Sequence, residues 1–143
     1  MRSAKVLLVD DEKGFTETLS ERLQLRNLTV YTASSGQEAI ELANQHRFDA
    51  VILDLQMPGM DGIDTLKQLL GKDADLQVLI LTGHGTVTKG VEAIKAGATE
   101  FLENPVDIQT LTEKIGTAAT QRVVLTEERS AQAIDDILKR KGW

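Results

Sequence analysis

The sequence predicts an α/β protein, a three-layer sandwich in which a parallel sheet lies between two layers of helices. Two observations predict it. Five short apolar runs, rich in β-branched residues, recur along the 143 residues. Each is followed by a longer segment whose apolar residues fall three or four apart, the spacing of a helix with one buried face. Strands separated by helices run parallel through right-handed crossovers, which puts helices on both faces of the sheet.

The first run, AKVLLV (4–9), leads into a helical segment with Phe15, Leu19 and Leu23 on one face. After LTVYTA (28–33), Ser35 and Glu38 form a capping-box pattern that opens a helix carrying Ala39, Ile40 and Ala43. DAVILDL (49–55) is the third run, followed by Ile63, Leu66 and Leu70 at helical spacing. The fourth, QVLILT (77–82), precedes Val87, Val91 and Ile94, and Gly97 stands where a left-handed C-cap ends that helix. TEFLE (99–103) is followed by Ile108, Leu111 and Ile115. Beyond Ile115 the pattern continues through Ala118 and Arg122 to Leu125, loses phase at TEERS (126–130) and resumes at Ala131, Ile134 and Leu138. Residues 1–120 are therefore expected to form the domain and 121–143 a helical extension. That extension either continues the fifth helix, with its apolar stripe on the domain, or forms a separate short helix. The second case has Thr126 as cap and Glu127 and Glu128 in the first turn, serving as a dimer contact or a truncated linker. At about 20 residues the extension is too short for a DNA-binding output domain.

Composition narrows the function. With 41% hydrophobic and 27% charged residues the chain suits one globular domain with a proper core. A net charge of −6 and an aromatic content of 3% argue against nucleic acid as a direct partner, since backbone phosphates need cations and base stacking needs rings. There is no cysteine, hence no disulfide and no thiolate metal site, and Met1 is not followed by the long apolar segment of a signal peptide or membrane anchor. The expectation is a soluble cytoplasmic protein without a membrane partner.

In a parallel sheet all strands end at one edge, where ligands bind. The residues expected there are Asp10 and Asp11 after the first run, Asp54 in the third, Thr82 and Gly83 at the end of the fourth, and Glu103 and Asn104 after the fifth. Three carboxylates meeting at one edge raise one another's proton affinity unless a cation lies between them, and such hard oxygen donors suit Mg²⁺. Each residue also has a plainer role. Asp10 or Asp11 could N-cap the first helix, Asp54 could bond the MPGMDG turn, and Thr82 could cap the GHGT loop. An acid pair, an acid and a hydroxyl on three successive core strands at the same edge favour a joint purpose.

Four motifs in order, VLLVDDE (6–12), VILDLQMPGMDG (51–62), VLILTGHG (78–85) and AGATEFLENP (96–105), resemble the receiver domain of bacterial two-component response regulators, over roughly residues 4–120. The resemblance implies a flavodoxin-like (βα)5 fold with strand order 2-1-3-4-5. It implies Asp54 as the phosphoacceptor for a sensor histidine kinase or phosphotransfer protein. Asp10, Asp11, Asp54 and the backbone carbonyl of Gln56 would hold Mg²⁺, Thr82 would contact the phosphoryl group, and Phe101 would be the aromatic switch. Gly83 matches the small residue that gives access to the acyl phosphate, and the Asn104–Pro105 peptide is expected to be cis. Such a chain is a switch rather than an enzyme, at most assisting its own phosphorylation and dephosphorylation. A homodimer would form through the face of the fourth helix, fifth strand and fifth helix, or through the tail. The GHG loop resembles receivers that precede output domains, which would make this a receiver of a larger regulator.

Other chemistries fit poorly. Acids at 10–12 would repel the unmetallated phosphate of a flavin nucleotide. GHGTVTKG begins like a dinucleotide fingerprint but has Thr88 where the third glycine belongs. His46 and His84 lie on different elements with no serine elbow, so a hydrolase triad lacks material; His84 reads as a loop residue placed to modulate acyl-phosphate hydrolysis. One departure from the family keeps a second reading open. The resembled domains end the fifth strand with a Lys-Pro pair, whereas this chain has Asn104, so a pseudo-receiver acting as a protein-binding module without phosphate is the alternative.

Overall fold

The computed structural model describes residues 3–57, 59, 61–83 and 87–142, with only the backbone of Val87. Its elements alternate as β1 (Lys5–Val9), α1 (Lys13–Gln24), β2 (Thr29–Ala33), α2 (Gly36–Gln45), β3 (Ala50–Leu53), α3 (Gly62–Lys72), β4 (Gln77–Thr82), α4 (Val87–Lys95), β5 (Glu100–Glu103) and α5 (Ile108–Arg140). All strand pairs are parallel, in the order β2-β1-β3-β4-β5.

The central strands are buried throughout and so read as unbroken apolar runs, while the edge strands β2 and β5 are largely half-buried or exposed. Side chains alternate between the faces. Leu7, Val9, Val51, Leu53, Val78 and Ile80 face a core shared with α2, α3 and α4. Val6, Leu8, Ala50, Ile52, Leu79 and Leu81 face Leu23 of α1 and Leu111, Ile115 and Ala118 of α5.

Local signals set the helix ends. Ser35 accepts from the Glu38 amide at 3.1 Å, as its capping pattern predicts, although the Glu38 carboxylate takes its bond from Ser34. Gly97 has φ +114°, and the bonds Gly97 N–H to Ile94 O and Ala98 N–H to Ala93 O close α4 in a Schellman motif. Asp61 and Asp107 cap α3 and α5. The first helix does not take the plainer alternative open to Asp10 and Asp11. Its N-cap is Glu12, without a side-chain cap bond, so neither Asp10 nor Asp11 caps it.

The tail also differs from one of the two expectations. There is no separate helix capped at Thr126, because α5 runs unbroken for 33 residues, about 50 Å at 1.5 Å per residue. What carries it through TEERS is polar. Arg122, Thr126 and Arg129 share one helical face and reach the turn between α3 and β4. The Arg122 Nη2 donates to Asp73 at 2.7 Å, Thr126 Oγ1 to Asp75 at 3.2 Å, and Arg129 Nη2 to Asp75 at 2.6 Å. The apolar stripe past this latch does not pack on the domain: Ile134, Ile137 and Leu138 are exposed.

The Arg129 hydrogen bonds hold the Asp75 carboxyl below its ordinary 3.8, so the latch contributes stability across neutral pH and loses it only as pH falls below that value. Arg129→Ala should therefore speed amide hydrogen exchange in residues 123–140 while leaving the sheet protected. Unchanged exchange in that segment would show that the latch does not hold the helix.

Candidate functional site at the carboxyl edge of the sheet

The ladder of the sheet extends one residue past its strands and thereby aims the site. Asp10 N–H donates to Ala33 O at 3.1 Å, Asp54 N–H to Val9 O at 3.0 Å, and Asn104 N–H to Thr82 O at 2.8 Å. The third run thus ends as a strand at Leu53, and Asp54 is the first residue beyond it. With Val9 paired to Leu53, the side chains of Asp10 and Asp54 leave neighbouring strands at the same level.

One oxygen from each of Asp10, Asp11 and Asp54 lies within 4.8 Å of the others. Asp54 Oδ1 accepts from the Gln56 amide at 3.0 Å and from the hydroxyl of Thr82, itself buried, at 3.0 Å. Thr82 therefore bonds into the cluster, while the loop that it was also expected to cap lies mostly outside the described residues. Asp10 Oδ1 accepts from the Glu12 amide at 3.0 Å, which turns the chain into α1. Gln56 is kept beside the acids by the same bond to Asp54, and its loop is packed down at Gly62. A Cβ there would lie 2.6 Å from Leu55 Cα, so only glycine allows the start of α3 to approach that backbone. Phe101 is half-buried on β5 against the core of α2, α3 and α4, and the half-buried Asn104 follows with a cis peptide to Pro105. Gly83 is half-buried beside Thr82. His84 and most of the GHGT loop lie outside the described residues, as do Pro58 and Met60.

Burial is the main reason the Asp10 carboxyl is pushed from 3.8 up to about 6, with the negative charges of Asp54, Asp11 and Glu12 adding to it against the Glu12 amide. Burial raises Asp54 as well, and Asp11 adds to that, opposed by the Gln56 and Thr82 hydrogen bonds. Every charge among these leading influences is negative. Three hard oxygen donors at this separation, two of them resisting ionisation, fit a divalent cation of the Mg²⁺ kind.

The raised Asp10 value means that the folded chain without metal binds a proton that the unfolded chain releases. Its stability accordingly falls as pH rises from 3.8 to about 6, and the loss is complete above that window. Near neutral pH, Asp10→Asn should raise the melting temperature of the metal-free chain and shrink the further rise produced by millimolar Mg²⁺. In the unsubstituted chain that rise should be larger at neutral pH than on the acid side of the window. Thermal unfolding with and without Mg²⁺ checks this, and a rise independent of pH and of Asp10 contradicts it.

The comparisons agree with this geometry. The sequence pattern of the response regulator receiver domain matches residues 6–116. The chain is 37% identical over 133 residues to the transcriptional regulatory protein GlrR of Escherichia coli, covering 93% of this chain and 30% of that protein. It is 33% identical to the response regulator MprA of Mycobacterium ulcerans, over 92% of this chain and 56% of that one. The chain thus spans between about a third and just over half of the length of these relatives. The crystal structure of a response regulator receiver domain protein from Clostridium thermocellum superposes with a TM-score of 0.81 at 35% identity, covering 85% of this chain and 98% of that one. The chain belongs to the response regulator receiver domain family, the phosphoacceptor signalling modules of two-component systems.

Proposed function

We propose that Asp54 is the phosphoacceptor of this receiver. The observation that carries the assignment is the cluster itself: three carboxylates within 4.8 Å of one another, with the Thr82 hydroxyl 3.0 Å from Asp54. The Asp54 carboxylate attacks the phosphorus of a phosphohistidine on a sensor kinase or phosphotransfer protein. The bond from phosphorus to the ring nitrogen breaks, its electron pair leaves with the nitrogen, and an acyl phosphate remains on Asp54. Asp10, Asp11, Asp54 and the Gln56 carbonyl would hold Mg²⁺, which would supply neutralisation of the charge developing on the transferred group. The chain does little covalent work of its own and is a switch rather than an enzyme, at most aiding its own phosphorylation and dephosphorylation.

A phosphoryl group adds about 1.5 to 2 negative charges and strong acceptors. The Thr82 hydroxyl is in place to donate to them, and Phe101, two strands from Asp54 on β5, reads the change as the aromatic switch. Beside Asn104, a cleft of about 210 Å³ lined by Phe15, Leu19, Pro105 and Ile108 suits the docking of the phosphodonor. The readout is an output domain or partner, in keeping with relatives that are transcriptional regulatory proteins. A homodimer through the face of α4, β5 and α5, or through the end of α5, is supported by exposed Val91 and Ile94 on α4 and Ile134 and Leu138 on α5. No described helix is long and apolar enough to cross a membrane, which accords with a cytoplasmic place for the switch.

Asn104 favours one second reading, a pseudo-receiver that binds partners without phosphate. Incubation with acetyl phosphate and Mg²⁺, followed by intact-mass measurement, decides between them. The expected result is a single added phosphate that Asp54→Asn abolishes. Phosphate persisting in that variant refutes the assignment of Asp54, and a chain that takes none in either form supports the pseudo-receiver.

A further inference from the structure

The ring of Phe101 occupies space that belongs to a side chain on the neighbouring helix. Gly90 is a buried residue within α4, and a Cβ added to it would lie 2.4 Å from Cδ2, 2.5 Å from Cε2 and 2.8 Å from Cγ of Phe101. Carbon atoms in contact sit about 3.5 to 4.0 Å apart, so the ring in this position and any side chain at residue 90 exclude each other. Glycine inside a helix is unfavourable relative to alanine, because it loses more backbone freedom on folding. Close approach is not general among the helical glycines: Gly62 meets the Leu55 backbone at the start of α3, but Gly14, Gly71 and Gly116 would meet nothing within 4 Å.

The seated ring coincides with a second feature of the site. Thr82 on β4 turns its hydroxyl to Asp54 while Phe101, paired across the β4–β5 ladder with Ile80 two residues before Thr82, packs against the core of α2, α3 and α4. We infer that Gly90 is a positioning residue for the Phe101 switch, admitting the ring to the one place in which α4, the ring and the Thr82–Asp54 bond are mutually compatible. This rests on the reading of Phe101 as the switch and adds to it the helix residue that sets the ring's seat. A methyl group at residue 90 evicts the ring or pushes α4 away from β5. Either response disfavours the arrangement with Thr82 directed at Asp54, and so weakens binding of a phosphoryl group there.

The test measures the affinity of the phosphoryl mimic beryllofluoride, with Mg²⁺, by NMR titration of the full chain and four variants. Gly90→Ala should weaken binding on the order of tenfold, as expected for an overpacked contact. Gly116→Ala, which adds the same methyl in open space on α5, should leave it unchanged. In a Phe101→Leu background, adding Gly90→Ala should have no further effect, because the ring it displaces is gone. Binding by Gly90→Ala equal to that of the unsubstituted chain, or a loss that persists without the ring, overturns the inference. If Gly90→Ala fails to fold, Phe101→Leu should restore folding, and failure to do so also overturns it. Nuclear Overhauser contacts between the Phe101 ring and the Gly90 α-protons give a readout that needs no phosphate. Should the unsubstituted chain bind no mimic, Asp54 as acceptor fails, yet these contacts still decide the role of Gly90. Their presence, and displacement of the ring in Gly90→Ala, uphold it, and an unmoved ring refutes it.

Discussion

A parallel sheet delivers the carboxyl end of every strand to one edge, and in this chain that edge gathers three carboxylates within 4.8 Å. The arrangement follows from the backbone more than from the side chains themselves. Because the amides of Asp10, Asp54 and Asn104 each continue the ladder by one bond, their positions are set by the register of the strands behind them. The two cores on either face of the sheet thus serve the site by holding that ladder in register. The acids oppose the fold electrostatically, since burial and mutual repulsion push the protons of Asp10 and Asp54 back toward their carboxyls. Stability left unused in this way is what a cation can draw on when it binds.

Asn104 alters the balance at that edge. A lysine at this position would stand next to Thr82 across the β4–β5 ladder, and a unit charge pair near 4 Å is worth up to about 4 kcal/mol at an effective dielectric of 20. Asparagine offers a donor and no charge, so compensation for the three acids would fall on a divalent ion held among them. We propose that the competence of the site to react and to switch depends on a divalent ion more steeply than that of a site with its own fixed cation.

Much of this was legible in the sequence because it depends on local pattern. The five apolar runs predict the strands to within two residues at either end, and the positions after them identify Asp10, Asp54 and Asn104 as neighbours at one edge. The strand order came through resemblance to a family, since βα alternation alone fixes direction and not order. What escaped depends on contacts between residues far apart in the chain. The continuity of α5 through TEERS comes from Asp73 and Asp75, about fifty positions earlier, which no periodicity within the tail reveals. The Asp10 side chain bonds the Glu12 amide instead of capping a helix, a choice made by the neighbouring strand that holds its backbone. Gly90 reads as an ordinary weak point in a helix until the Phe101 ring is placed against it. By contrast, Asp61 and Asp107 stood directly before helical runs, and cap preference would have found them.

Among the described residues no cation is among the leading influences on Asp10 and Asp54, and we propose that a divalent ion serves in place of one. The rate of phosphorylation by acetyl phosphate, followed across a range of Mg²⁺ concentrations for this chain and for Asn104→Lys, tests it most directly. The lysine variant should react faster at low Mg²⁺, and the two rates should converge as the metal saturates. Superimposable curves at all concentrations would contradict it.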